Sequence, residues 1–188
     1  MSIRSCRIRR DDRQVAVFRW FMKRISPIVY PLIAAAVIAL DQLTKYLVRS
    51  TMEPGDSIPL IGSWLRILYV RNTGTAFSMF AGNKMVTVVF TSVLIAACLV
   101  FVVHEACRGS QAVACLMTFV IAGGLSNLID RLTLGYVTDM ISCGSFAVFN
   151  VADIGVTCGC FLTIAVVLLQ MKNESSGEAK EQGPGEEE

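Results

Sequence analysis

Residues 123–153 read GGLSNLIDRLTLGYVTDMISCGSFAVFNVAD. The stretch leaves one long apolar run and enters another. Between the two lie Asn127, Asp130, Arg131, Asp139, Asn150 and Asp153. Ionisable groups are costly inside a bilayer, so they collect at its edge, in pairs, or in a working site. Asn127 and Asp130 are three residues apart, as are Asn150 and Asp153, and on helices each pair shares a face.

The rest of the chain fits a membrane setting. Of 188 residues, 54% are hydrophobic and 17% charged, against about 25% charged in a typical soluble domain. Mean hydropathy is +0.57. Four apolar segments, at about 25–48, 85–103, 111–129 and 154–171, are each long enough to span a hydrocarbon core of roughly 20 helical residues. The expected fold is an all-α membrane protein with four transmembrane helices. A small β-rich extracytoplasmic segment is expected between spans 1 and 2, from the WLRILYV run at 64–70 and the turn residues around it. Three regions follow: a basic cytoplasmic arm (1–24), a four-span domain (25–171) and a disordered, acidic cytoplasmic tail (172–188).

Charge sets the orientation. The arm carries Arg4, Arg7, Arg9, Arg10, Arg13, Arg19, Lys23 and Arg24 against Asp11 and Asp12, and basic flanks stay in the cytoplasm. Four spans return the C-terminus to the same side. Arg108, in the link between spans 2 and 3, falls inside too. The segments 49–84 and 130–153 then face outward. They hold Arg49, Arg66, Arg71, Lys84 and Arg131, so the asymmetry rests on the arm. A secretory signal would also begin basic and then apolar, but this apolar run is long and no small-x-small cleavage site follows it before Asp41.

Seven cysteines, an odd number, argue against a disulfide framework. Metal binding is not expected, since the one histidine, His104, lies on the side opposite the aspartates. Nothing calls for an organic cofactor or nucleic acid. The sequence leaves the oligomeric state open.

With alternating spans, Asp41, Asp130, Asp139 and Asp153 all lie at the outer boundary. Asp41 is about 24 Å along its helix from residue 25. Lys45, four residues on, pairs with it; the pair either closes the top of the helix or contacts substrate or a lipid headgroup. Asp130 has Arg131 and Asn127 beside it and reads as structural. Asn72 sits in an Asn-x-Gly turn. Asp139 and Asp153 have no cation within four residues. Two close carboxylates do not both ionise cheaply, so one retains a proton and the pair supplies a base and an acid.

The blocks DQLTK (41–45), NTGTAF (72–77), GGLSNLIDR (123–131), GYVTDM (135–140) and FNVAD (149–153) resemble, in order and spacing, the motif series of lipoprotein signal peptidases, or signal peptidase II. The resemblance covers roughly residues 25–170. It implies an inner-membrane, multi-pass aspartic endopeptidase with its site at the outer face. Such an enzyme removes signal peptides from prolipoproteins, cutting before the diacylglyceryl-modified cysteine. Its partners would be lipid-modified prolipoprotein substrates and membrane lipids. The resemblance further implies Asp139 and Asp153 as the catalytic pair, with Asp41, Lys45, Asn72, Asn127, Asp130, Arg131 and Asn150 supporting the site. Ser126 stands where that family usually has glycine, and Met140 where phenylalanine is common. The competing class is a small proton-coupled membrane transporter. That reading prefers charges at mid-bilayer and internal repeat symmetry, and the sequence displays neither.

Overall fold

The computed structural model describes residues 26–74, 83–107, 110–144 and 147–181. The basic arm, the Thr75–Phe77 end of the NTGTAF block, Arg108 and residues 182–188 lie outside them. Among the described residues four helices are long and apolar enough to cross a membrane: α1 (Val29–Thr51), α2 (Lys84–Cys107), α3 (Gln111–Thr133) and α4 (Val151–Glu181). The strands β1 (Ser57–Ile61), β2 (Leu65–Asn72), β3 (Val137–Cys143) and β4 (Val148–Phe149) form one antiparallel sheet in the order β1-β2-β3-β4.

The sheet is wider than the sequence suggests. Its strands come from two segments, β1 and β2 from between α1 and α2, and β3 and β4 from between α3 and α4. The expectation of a β-rich segment between spans 1 and 2 therefore names only half of it. The reason is local: in β3, VTDMISC, residues 137–140 are buried without interruption. A strand covered on both faces loses the alternation by which strands are read. At the other end, α4 continues to Glu181, into the stretch read as a disordered tail.

Helix α3 is the central one. Its buried residues run from Ala112 to Arg131 and face several directions. Glycines bring α4 against it. A Cβ on Gly123 would collide with the Ala152 carbonyl oxygen, and one on Gly159 would lie 2.7 Å from Val120 Cγ2. Small residues at such crossings let helix backbones approach closely. Val113, Met117 and Val120 of α3 form the bundle core with Val156, Val166 and Val167 of α4 and Cys98 and Val102 of α2. The outward faces expose Val93, Phe161, Leu168 and Leu169, an apolar surface suited to lipid. The sheet is seated on the end of α1 by a second cluster, Val48 and Met52 against Tyr69 and Met140. This brings β3, and with it Asp139, over the tops of α1 and α3.

Candidate active site

The site is built where α1 and α3 end, α4 begins and β2 and β3 pass over them. Helix α1 contributes Asp41 and Lys45, both fully buried. Their i,i+4 spacing puts Lys45 Nζ 2.7 Å from Asp41 Oδ2. The same ammonium is 3.2 Å from Asp130 Oδ2 and donates to Asn127 Oδ1 at 2.8 Å. Its three donors thus meet three acceptors, which is what makes a buried lysine tolerable. Asp41 Oδ1 accepts the Ala152 N–H at 2.8 Å, placing a carboxylate at the N-terminus of α4, where helix N–H groups and the macrodipole favour negative charge.

That N-terminus is a capping box. Asn150 Oδ1 accepts the Asp153 N–H at 2.9 Å, and Asp153 Oδ2 accepts the Asn150 N–H at 3.2 Å. The N-x-x-D spacing therefore satisfies two end groups reciprocally and fixes where the Asp153 carboxylate stands. Lys45 can only donate, so the Asn127 oxygen must face it. The Asn127 amide nitrogen is thereby turned to Asp153 Oδ1, at 2.9 Å. Asn150 Nδ2 donates to Asp139 Oδ1 at 2.7 Å and to Asn127 Oδ1 at 3.2 Å. Asn72 Nδ2 donates to the other Asp139 oxygen at 2.9 Å. One asparagine, Asn150, thus touches both Asp139 and Asp153.

The two remaining carboxylates differ from Asp41 and Asp130. Among the described residues, Asp139 and Asp153 form no ion pair and are held by amides instead. Asp139 is 2% exposed, whereas Asp153 is only half-buried, which leaves one side open to water. Burial pushes the Asp139 carboxyl up to about 6, and the Asp153 charge adds to this. The amide hydrogen bonds from Asn72 and Asn150 oppose the rise. A carboxyl in that range exchanges protons near neutral pH.

The structure brings together Asp41, Lys45, Asn72, Asn127, Asp130, Arg131, Asp139, Asn150 and Asp153, with one correction of partners. Arg131 does not pair with Asp130. Successive helix residues point about 100° apart, and the Arg131 guanidinium turns to backbone, donating to Asn127 O at 3.3 Å and Gly74 O at 3.0 Å. Gly74 is held a second time by its N–H on Asn72 Oδ1, at 3.0 Å. The cations near Asp130 are Lys45 and, at 3.8 Å, Arg49. Asp130 also accepts from Gln42 Nε2 at 3.0 Å and from the Thr138 N–H at 3.2 Å.

Four residues of this network are not on the candidate set from the sequence. Arg49 has a visible signal, the i,i+4 step from Lys45. Gln42, Ser126 and Thr138 lie inside the motif blocks, but no local spacing pairs them with the charged partners they meet. Ser126 Oγ donates to Asp41 Oδ2 at 2.7 Å and accepts from Gln42 Nε2 at 3.0 Å. A serine at the glycine position of the motif thus adds one more bond to the Asp41 carboxylate.

Residues 33–169 match the family model described as signal peptidase (SPase) II. The chain is 35% identical over 144 residues to the lipoprotein signal peptidase of Shouchella clausii, covering 76% of this chain and 95% of that protein. It is 37% identical over 141 residues to that of Halothermothrix orenii, covering 75% and 96%. A solved structure titled as a bacterial membrane enzyme, obtained in meso at 2.3 Å, superposes with a TM-score of 0.69 at 28% identity. It covers 86% of this chain and 96% of that one.

Proposed function

The chain belongs to the signal peptidase II family, a family of multi-pass bacterial membrane peptidases that remove signal peptides from prolipoproteins, and from that premise we propose that it is an aspartic endopeptidase whose catalytic pair is Asp139 and Asp153. The observation that carries this is the division of the carboxylates. Asp41 and Asp130 share the Lys45 ammonium, while Asp139 and Asp153, among the described residues, accept only from amides and lie on either side of Asn150. The transporter reading finds no support in the family match.

In this mechanism the pair shares one proton and titrates as a unit. The ionised member takes a proton from water, and the protonated member donates to the scissile carbonyl oxygen. Asn72, Asn127 and Asn150 hold the carboxylates by donation without supplying a charge that would keep both ionised. Lys45 orients Asn127. Arg131 and Asn72 hold the backbone at Gly74 beside the pair. The scissile bond precedes a diacylglyceryl-modified cysteine, and the acyl chains remain in the bilayer. The basic arm lies in the cytoplasm, and the sheet with the catalytic pair at the outer face. Labelling checks this orientation: a membrane-impermeant thiol reagent reaches Cys143 from outside and does not reach a cysteine engineered at position 108. Labelling at 108 from outside would reverse it.

The deciding experiment is cleavage of a lipidated precursor by detergent-solubilised protein, with Asp139→Asn and Asp153→Asn beside wild type. Wild type cleaves and both variants do not. Substantial turnover by either variant, or a loss of wild-type activity with chelator that added metal restores, would sink the two-aspartate mechanism.

A further inference from the structure

Five cations lie in the segments read as outer, Arg49, Arg66, Arg71, Lys84 and Arg131, where basic residues are ordinarily sparse. The catalytic network absorbs Arg131 and part of Arg49. Three of the five, Arg49, Arg71 and Lys84, come from three separate elements to the Leu132–Thr138 stretch, Lys84 at Leu132, Arg71 at Tyr136 and Arg49 at Thr138.

Arg71 is exposed, yet its guanidinium is held. The central carbon lies 5.2 Å from the Tyr136 ring centroid and 5.8 Å from that of Tyr69. Nε donates to the Tyr69 hydroxyl at 3.3 Å, and the two tyrosine hydroxyls are 3.5 Å apart. Tyr69 is 2% exposed and packed against Val48 and Met52, so the platform under the guanidinium is part of the core. With Nε on Tyr69, the terminal nitrogens meet no acceptor among the described residues. Arg49, in the last turn of α1, donates from Nη1 to Thr138 Oγ1 at 3.1 Å. Thr138 stands directly opposite Arg71 in the β2–β3 ladder, so the two side chains share a face. Lys84 opens α2. Its Cδ would be 3.9 Å from a Cβ on Gly135, and its Nζ donates to Leu132 O at 3.2 Å.

Among the described residues, a carboxylate pairs with this cluster only at Arg49. Among the described residues Arg71 and Lys84 form no ion pair, and the Asp130 oxygen nearest Arg49 is 3.8 Å away. Glu53 attracts Arg71 only at longer range. Position narrows the ligand. Helix α1 ends at Thr51 and α2 begins at Lys84, so Arg49 and Lys84 mark one edge of the apolar bundle, the depth of lipid headgroups. Below Arg49 on α1, Tyr46 and Leu43 are 61% and 54% exposed, an apolar track for acyl chains.

We propose that Arg71, Arg49 and Lys84 form a phosphate-binding site around Tyr136 that takes the phosphodiester headgroup of a phospholipid. A planar guanidinium fixed by stacking presents its free edge in the geometry that oxyanions accept in bidentate fashion. The cations on either side supply charge without closing the site. The inference rests on the membrane-edge reading above, and its test is read without cleavage, so failure of the peptidase mechanism leaves the result interpretable.

The full chain, delipidated in neutral maltoside detergent, is titrated with dihexanoyl phosphatidylglycerol, with inorganic phosphate and with uncharged dihexanoylglycerol. Binding is followed by melting temperature and by lipid retention in native mass spectra. Phosphatidylglycerol binds to wild type. Arg71→Gln weakens it by about tenfold, the loss of a charge-assisted bond. Lys84→Gln weakens it less, and Arg71→Lys, which keeps the charge and loses the stacked fork, falls between wild type and Arg71→Gln. Inorganic phosphate competes at higher concentration, and dihexanoylglycerol does not compete. Each variant loses only surface contacts of an exposed side chain, so all melt cooperatively in lipid-free detergent, at or slightly below wild type. Unchanged phosphatidylglycerol binding in the Arg71→Gln, Lys84→Gln double variant overturns the site, as does equal binding of dihexanoylglycerol. Inorganic phosphate binding as tightly as the lipid makes it a free-anion site and overturns the lipid assignment.

Discussion

Two pairs of aspartates share this site, and their surroundings are opposite. Asp41 and Asp130 are buried around one ammonium, with Lys45 within 3.2 Å of both. Asp139 and Asp153 are held by asparagine amides alone among the described side chains. A buried carboxylate beside a cation ties elements together through its ion pair and hydrogen bonds. Here Asp41 joins α1 to Ser126 of α3 and to the α4 backbone at Ala152. Burial raises the proton affinity of Asp139, and its amide donors, which satisfy its lone pairs, oppose the rise only in part. The chemical role of an aspartate is therefore set by the charge of its neighbours, not by its residue type.

The largest effect separating the two pairs is on turnover. Asp139→Asn and Asp153→Asn each lower cleavage by about a thousandfold or more while remaining folded, and the double variant is little worse than either single one, because the two act as a unit. Additive losses in the double variant would show that they act separately. The compensated pair responds differently. Asp130→Asn leaves Lys45 with one carboxylate fewer and destabilises the protein by about 3–5 kcal/mol, as loss of one partner of a buried pair does. Thermal melting in detergent reads this directly. An Asp130→Asn protein as stable as wild type and wholly inactive would move Asp130 into the chemistry.

A pH series sharpens the contrast. The Asp139 carboxyl is raised from 3.8 to about 6, so the folded state binds its proton more tightly than the unfolded chain does. The stabilisation is complete below about 3.8 and is lost as pH rises through about 6, amounting to about 3 kcal/mol. Melting temperature should fall across that window in wild type relative to Asp139→Asn. Parallel curves for the two proteins would remove Asp139 as the titrating group. The smallest effect belongs to Ser126. Ser126→Ala deletes one bond to Asp41, which keeps Lys45 and the Ala152 N–H. Stability falls by about 1–2 kcal/mol, with cleavage near the wild-type rate. Loss of cleavage at unchanged stability would mean that the compensated pair does more than hold helices.

Much of this was legible in the chain itself. Apolar runs long enough to span a bilayer announce four helices because the bilayer imposes length and composition on any helix that crosses it. The i,i+4 pair at Asp41 and Lys45 is local, so spacing alone displays it, whereas the Asn150–Asp153 spacing reads as a shared helix face and only the structure shows it to be a capping box. The candidate residues as a set could be named by the resemblance of the motif blocks that carry them. Their partners could not. Arg131 adjoins Asp130 in sequence yet turns to Gly74, and the cation that meets Asp130 comes from Lys45, on another helix. The sheet likewise assembles from two segments far apart in the chain, and buried β3 carries no alternating pattern to reveal it. Gln42 and Ser126 enter the network because α1 packs against α3, and Thr138 because the Tyr69 cluster seats the sheet on α1. Periodicity records what each residue must face, water, lipid or core. Which of several buried polar groups meet is decided by packing between elements, where distances of about 3 Å select the partners.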